Sequence, residues 1–112
     1  MANIRQAKVE SLLVKDISGI LQREVAGWGV SEMVTVTRVR ISTDLSHAKV
    51  YVSIFPGNRT HEIIDVLRHK ATWIRGEAGK ALGKQLRIVP ELVFLVDDSL
   101  DYADRIDELL KK

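Results

Sequence analysis

The sequence predicts an α+β fold in which a three-stranded sheet is packed by helices. Three observations predict it. Apolar residues recur every three or four positions at the start of the chain and again in its middle, as they do in amphipathic helices. Between those segments the period falls to two, over stretches rich in β-branched residues, as in half-buried strands. The chain has 112 residues, 46% apolar and 29% charged, enough for one core and too few for two. Residues 1–112 therefore read as a single domain.

The first helix is expected from about Ile4 to Val25. Val9, Leu13, Ile17, Ile20, Leu21 and Val25 share one of its faces. Gly27 and Gly29 end it, with Trp28 between them. In MVTVTRVRI, Val34, Val36 and Ile41 or its neighbours alternate with Thr35, Thr37, Arg38 and Arg40, the pattern of a strand. STDLSH is polar and turn-like, and AKVYVSIF alternates again, so the two strands form a hairpin. Pro56-Gly57-Asn58 closes the second strand. Thr60 is placed to cap the next helix, where Ile63, Ile64, Leu67, Ala71, Ile74, Ala78 and Leu82 form the longest periodic stripe in the chain. LRIVPELVFLV reads as a third strand, in which Pro90 requires a bulge or an edge position because it cannot donate to a ladder. Asp98 or Ser99 can cap a last helix, LDYADRIDELLKK, with acids early and lysines last, as the helix dipole favours. The order is α-β-β-α-(α)-β-α, without repeat, linker or low-complexity run.

Composition narrows the function. Cysteine is absent, which excludes disulfides, thiolate zinc sites and a thiol nucleophile. The opening MANIRQAKVESLL lacks the apolar stretch of a signal peptide, and no run reaches membrane-spanning length, so a cytoplasmic protein without a membrane partner is expected. Asp97, Asp98, Asp101, Asp104, Asp107 and Glu108 read as caps and the outer face of one helix rather than carboxylates converging on a metal. His47, His61 and His69 lack ligand spacing, no serine sits in a nucleophile elbow, and neither a P-loop nor a dinucleotide fingerprint is present. A binding protein is expected, with no enzyme activity and no cofactor.

The net charge is only +2, so the placement of the cations matters more than their number. On a helix through residues 60–87, Gly76, Gly79 and Gly83 fall on the side opposite the apolar stripe, within about 60° of one another. Three such glycines cost an exposed helix on the order of 2–3 kcal/mol relative to alanine. Either the helix breaks there or something approaches its backbone closely. Arg68, His69, Lys70, Arg75, Lys80, Lys84 and Arg87 flank this face, and only Glu77 interrupts them. Arg5, Lys8, Arg38 and Arg40 add a second basic patch. Bare backbone rimmed by cations suits a phosphate chain. The plainer alternative is a solvated helix with ordinary surface lysines. IRGEAGK also contains the Gly-x-x-Gly by which KH domains clamp nucleic-acid backbone. Here the motif lies in a helical segment, with Glu77 at its centre repelling phosphate. Trp28 and Trp73 read as partly buried anchors, with Trp73 at the basic edge of the stripe also a candidate for base stacking.

Two segments carry a family resemblance. TVTRVRISTDLSHAKVYVSI, residues 35–54, is similar to the first hairpin of bacterial ribosome-binding factor A. LRIVPELVFLVDDSLDYADRIDELL, residues 86–110, resembles that family's Leu-Arg-x-x-Pro-Glu-Leu-x-Phe strand followed by Asp-x-Ser and a final helix. Ile74-Arg75 and Gly79-Lys80 match the helix between them, and the opening from Arg5 to Leu13 also fits. The resemblance implies a type II KH-like fold, α-β-β-α-kink-α-β. In the family an Ala-x-Gly kink replaces the KH clamp. The matching positions are Ala71-Thr72-Trp73, with tryptophan where the family has glycine, so a break at Ala71–Trp73 and a break at Gly76–Gly83 both stand as expectations. The chain also stops soon after the last helix, short of the C-terminal tail of many members.

Functionally, the resemblance implies a small-subunit (30S) assembly factor. It would bind free immature 30S subunits and 16S ribosomal RNA, aid late 16S processing and serve cold adaptation, acting as a monomer. The RNA-contact candidates are Arg5, Lys8, Arg38, Arg40, Arg68, Lys70, Arg75, Gly76, Gly79, Lys80, Gly83, Lys84 and Arg87. Two alternatives are a generic KH-like single-stranded RNA-binding protein and a protein-interaction module whose basic residues are incidental.

Overall fold

The structure is a computed structural model that describes residues 4–83 and 89–97. The expected last helix from Asp98, and Leu86 to Ile88 of the expected third strand, lie outside the described residues.

Helix α1 spans Ile4–Glu24. Its buried face is Val9, Leu13, Ile17, Ile20 and Leu21, the stripe predicted from spacing. Val25, expected in the same helix, opens a 3-10 turn, Val25–Trp28. Gly29 then takes φ 81°, and its N–H caps the carbonyls of Val25 and Ala26, a left-handed conformation that glycine adopts without steric cost. One carboxylate oxygen of Asp16 on α1 is buried without a hydrogen-bond partner. Burial raises this carboxyl above the usual carboxylate range, and the nearby Arg23 charge pulls it the other way.

Strands β1 (Met33–Ile41) and β2 (His47–Phe55) pair antiparallel as a hairpin. The register shifts between Val36 and Arg38. This bulge at Thr37 explains why the alternation in β1 is imperfect: Val36 points inward before it and Val39 after it. The hairpin turn is held by Asp44, whose Oδ1 accepts from Ser42 Oγ (2.8 Å), Ser46 Oγ (2.7 Å) and Ser46 N–H (3.1 Å). These bonds hold the Asp44 carboxyl down at about 2.

After β2 a short 3-10 turn, Gly57–Arg59, leads into helix α2, Thr60–His69. Thr60 is the first helical residue and not a cap: its hydroxyl donates backwards to the Gly57 carbonyl at 2.8 Å. Helix α3, Ala71–Leu82, follows after a break of one residue. Of the two expected break points, the structure chooses the one next to Ala71. Lys70 has φ −92° and ψ 0°, off the helical values, and its N–H is shared between the carbonyls of Val66 and Leu67. Gly76 and Gly79 lie inside the unbroken α3, and Gly83 follows its last residue.

Strand β3, Glu91–Val96, pairs parallel with β2, giving the order β1-β2-β3. The α2–α3 pair is the crossover that a parallel neighbour requires. Pro90 immediately precedes β3, outside the ladder, and β3 is an edge strand, as the proline demanded. Ala48, Val50 and Val52 of β2, Val36 and Val39 of β1, and Leu92 and Phe94 of β3 share one core with the buried stripes of all three helices. Every described helix therefore covers the same face of the sheet. This α-β-β-α-α-β arrangement is the type II KH-like fold expected.

Candidate nucleic-acid interface

The buried stripe of α2 and α3 fixes where their cations stand. Ile63, Ile64 and Leu67 of α2 and Ile74, Ala78 and Leu82 of α3 are buried. Arg68 is exposed on α2, with its Nε donating to the Phe94 carbonyl at 3.2 Å and its Nη1 3.9 Å from Asp65. Arg75 is partly buried, and its Nε donates to the Val89 carbonyl at 3.0 Å. Both guanidiniums thus strap the helices to the β3 side of the sheet. Lys80 pairs with Glu77 at 3.0 Å, so the acid that seemed to interrupt the basic face neutralises one of its members. Lys70 stands at the helix break, its ammonium 5.5 Å from the Trp28 ring centre. Lys84 and Arg87 lie outside the described residues.

The glycines divide. Gly76 is exposed, and a Cβ built on it would meet nothing within 4 Å. Gly79 is different: its Cβ would touch Val89 Cγ2 at 3.6 Å, so this glycine faces the chain entering β3 and not open solvent. The expectation that all three glycines lie away from packed structure is corrected for Gly79. The segment before β3 folds back onto α3, a tertiary contact that no helical projection contains. At Gly83 a Cβ would come within 3.0 Å of the Gly79 carbonyl, so a side chain there would need the helix end to shift.

Arg38 and Arg40 project elsewhere. Their inward neighbour Val39 is buried, so they stand on the sheet face opposite the helices. Arg38 lies over the Tyr51 ring, 4.3 Å from its centre, a cation–π contact. Arg40 is directly opposite Lys49 on the neighbouring strand. Placing two like charges across a ladder is unfavourable unless something anionic joins them. Lys49 was not among the candidates. The alternation of AKVYVSIF, with Ala48 and Val50 inward, and the hairpin register across STDLSH are the signals that locate it. At the ends of this face Glu91 pairs with His47 at 3.4 Å, and Asp97 accepts from the Thr37 hydroxyl.

Arg5 and Lys8 are exposed on the first turns of α1. Between them Gln6 is buried, and its side chain donates to the Ser42 carbonyl at 3.4 Å, which sets the start of α1 beside the hairpin turn. The structure therefore brings Arg38, Arg40 and Lys49 together on the sheet face that none of the described helices covers. It keeps Arg68 and Arg75 at the β3 side, where they are partly committed to the protein's own carbonyls. Among the described residues, no three acidic or histidine side chains gather in a way that could hold a metal ion. No helix among them is long and apolar enough to cross a membrane.

The family model described as ribosome-binding factor A matches residues 5–110. Ribosome-binding factor A of Flavobacterium johnsoniae is 43% identical over 111 residues, covering 98% of this chain and 85% of that protein. The crystal structure of ribosome-binding factor A from Thermus thermophilus superposes with a TM-score of 0.65 at 22% identity, over 81% of this chain and 94% of that one. A homology model of the Thermus thermophilus factor, fitted into a cryo-electron-microscopy map of its complex with 30S, superposes with a TM-score of 0.62 at 21% identity, over 81% and 93% of the two chains. By both sequence and fold, the chain belongs to the ribosome-binding factor A family.

Proposed function

We propose that this protein binds the free, immature 30S subunit through its 16S ribosomal RNA and aids late maturation of that RNA, including processing of its 5′ end. The observation that carries this reading is the family match along residues 5–110, joined to the fit of a family member into a 30S complex. The role is binding and not catalysis, carried out in the cytoplasm by a monomer. By binding one RNA arrangement in preference to others, the protein shifts the population of conformers toward it. Cold over-stabilises wrong RNA pairings, which makes such a helper matter most in cold-grown cells.

Within this reading the sheet face that none of the described helices covers offers Arg38, Arg40 and Lys49 to phosphate, with Arg5 and Lys8 beside the hairpin turn. Lys70 and Lys80 serve the α3 side, where exposed Gly76 allows backbone approach, and Lys84 and Arg87, outside the described residues, join them as contacts proposed from the sequence. Arg68 and Arg75 contribute through the guanidinium nitrogens left after their carbonyl bonds.

Co-sedimentation with free small subunits, large subunits and assembled ribosomes across a salt series tests the proposal. Selective, salt-sensitive pelleting with the free small subunit is expected. Replacing Arg38, Arg40 and Lys49 together with alanine is expected to flatten the log–log salt slope by roughly 2–3 units. Equal pelleting with every particle would reduce the reading to generic cation–phosphate binding. Tight binding to short RNAs without selectivity for the subunit would favour a general single-strand binder. Binding insensitive to salt and to RNA removal would point to a protein-interaction module.

A further inference from the structure

We infer that Trp28 and Trp73, with Lys70 beside them, form a stacking site for an unpaired base of single-stranded RNA. The inference rests on the RNA-binding reading above and deepens it.

The site is assembled by two local events in the chain. The 3-10 turn Val25–Trp28 presents Trp28 at the end of α1, and the break at Lys70 redirects the helix so that Trp73, in the first turn of α3, meets it. The rings contact edge to face, with centres 5.7 Å apart and planes at 88°. In that geometry one ring offers its edge to a face of the other, so ring faces remain that neither tryptophan covers. Trp73 keeps 42% of its surface exposed, among the highest values for a large apolar side chain in the described residues. An anchor whose only task is to join α1 to α3 has no need of so much water-facing indole, and exposing it is unfavourable.

The surroundings suit a nucleotide. A shallow depression beside the pair is lined by Gly27, Trp28, Asp65, Val66, His69 and Lys70. A Cβ on Gly27 would meet nothing within 4 Å, so the depression is open at that end. The Lys70 ammonium already lies over the Trp28 ring, so the base stacks on the exposed Trp73 indole and the ammonium meets its phosphate. Asp65 is the one carboxylate in the lining, and the Arg68 guanidinium stands 3.9 Å from it. The His69 ring donates from Nδ1 to the Asp65 backbone carbonyl at 2.8 Å, which leaves Nε2 to accept from an N–H on a base edge. Bases inside a duplex present no free face, so the ligand is unpaired.

Both tryptophans of the chain belong to this site, so fluorescence excited selectively at tryptophan, beyond the absorption of the two tyrosines, reports on it. The experiment titrates the full chain with a short single-stranded RNA, with the same strand annealed to its complement, and with inorganic polyphosphate. Saturable quenching by the single strand alone is expected. Trp73→Leu should weaken that binding roughly 5- to 100-fold, and Trp73→Phe should recover part of the loss. A circular dichroism melt of each variant separates lost stacking from lost fold. Equal fluorescence changes with polyphosphate would overturn the proposal, because charge alone would then account for them. So would unchanged fluorescence with single-stranded RNA while the protein still pellets with free small subunits, a result that leaves the proposed function standing. Pelleting lost in Trp73→Leu without any quenching by RNA would assign the indole to a protein partner, also against the proposal. If the unaltered protein fails to pellet with small subunits yet is quenched by single-stranded RNA, the stacking site survives and the ribosomal reading falls.

Discussion

Replacing Gly76 with alanine separates two reasons for a glycine in α3. Position 76 is in the helix interior, exposed, with nothing within 4 Å of a built Cβ. A methyl group there meets no obstacle and removes the entropic handicap of glycine. The helix should gain about 0.8–1.0 kcal/mol. For a domain of this size that is a rise in Tm of roughly 3–8 °C. Urea unfolding followed by circular dichroism measures it, and an unchanged m-value confirms that stability changed while the surface exposed on unfolding did not. The same variant then goes into the salt-series pelleting assay. If Gly76 is kept because RNA backbone lies against it, the more stable protein should bind the small subunit more weakly. A variant that is no more stable than the parent would refute the continuous helix through Gly76. One that is more stable and binds equally well would refute close approach and return Gly76 to the status of a tolerated surface residue.

Arg75→Ala should cost about 1–2 kcal/mol, because the bond to the partly buried Val89 carbonyl is charge-assisted, and Arg75→Lys should restore little of it despite keeping the charge. Urea titration of the three proteins checks this, and equal stability would make Arg75 a free contact residue. Asp44 gives an acid-side test. Its carboxyl is lowered to about 2 in the fold from an ordinary 3.8, so its contribution is complete above about pH 4 and is lost as pH falls through about 2. The Tm gap between the parent and Asp44→Asn should close over that window, whereas a constant gap would deny the turn its hydrogen-bonded carboxylate. Asp16 has the opposite sign: its carboxyl is raised, so burial of its charge weighs against the fold above its folded pKa and eases as pH falls toward 3.8. Asp16→Asn should therefore stabilise at neutral pH, by less than about 1 kcal/mol given partial exposure, with the gain fading in acid.

The helical and strand patterns of this chain were legible because burial imposes them residue by residue. Val9 to Leu21 and Ile63 to Leu82 were readable as stripes because each points at one core. What could not be read came from tertiary geometry. The break at Lys70 carries no glycine or proline, and φ −92°, ψ 0° is open to any residue, so local chemistry left two break points standing. The bulge at Thr37 showed only as uncertainty over whether Ile41 or a neighbour pointed inward. The basic candidates were found as a list of charges, but a list has no faces. The hairpin register puts Arg40 opposite Lys49 on the face of Arg38, and only the course of residues 89–94 showed that Arg68 and Arg75 are already engaged.

Arg68 also bears on how the molecule behaves toward copies of itself. In a parallel ladder, alternate residues turn both backbone groups to the same side. Glu91 donates to Ser46, just before β2, and Asp97 to Val52 of β2, so Leu92, Phe94 and Val96 turn their groups away from β2, along the outer rim of the sheet. Such a rim is a template for pairing with another strand, and exposed Val93 and Val96 would add adhesion. Arg68 occupies the Phe94 carbonyl in the middle of that rim with a positive charge. Two molecules approaching rim to rim would have to break this bond in each and press two guanidiniums together. Among the described residues, this side chain is thus the one that blocks the Phe94 carbonyl against pairing with a second strand.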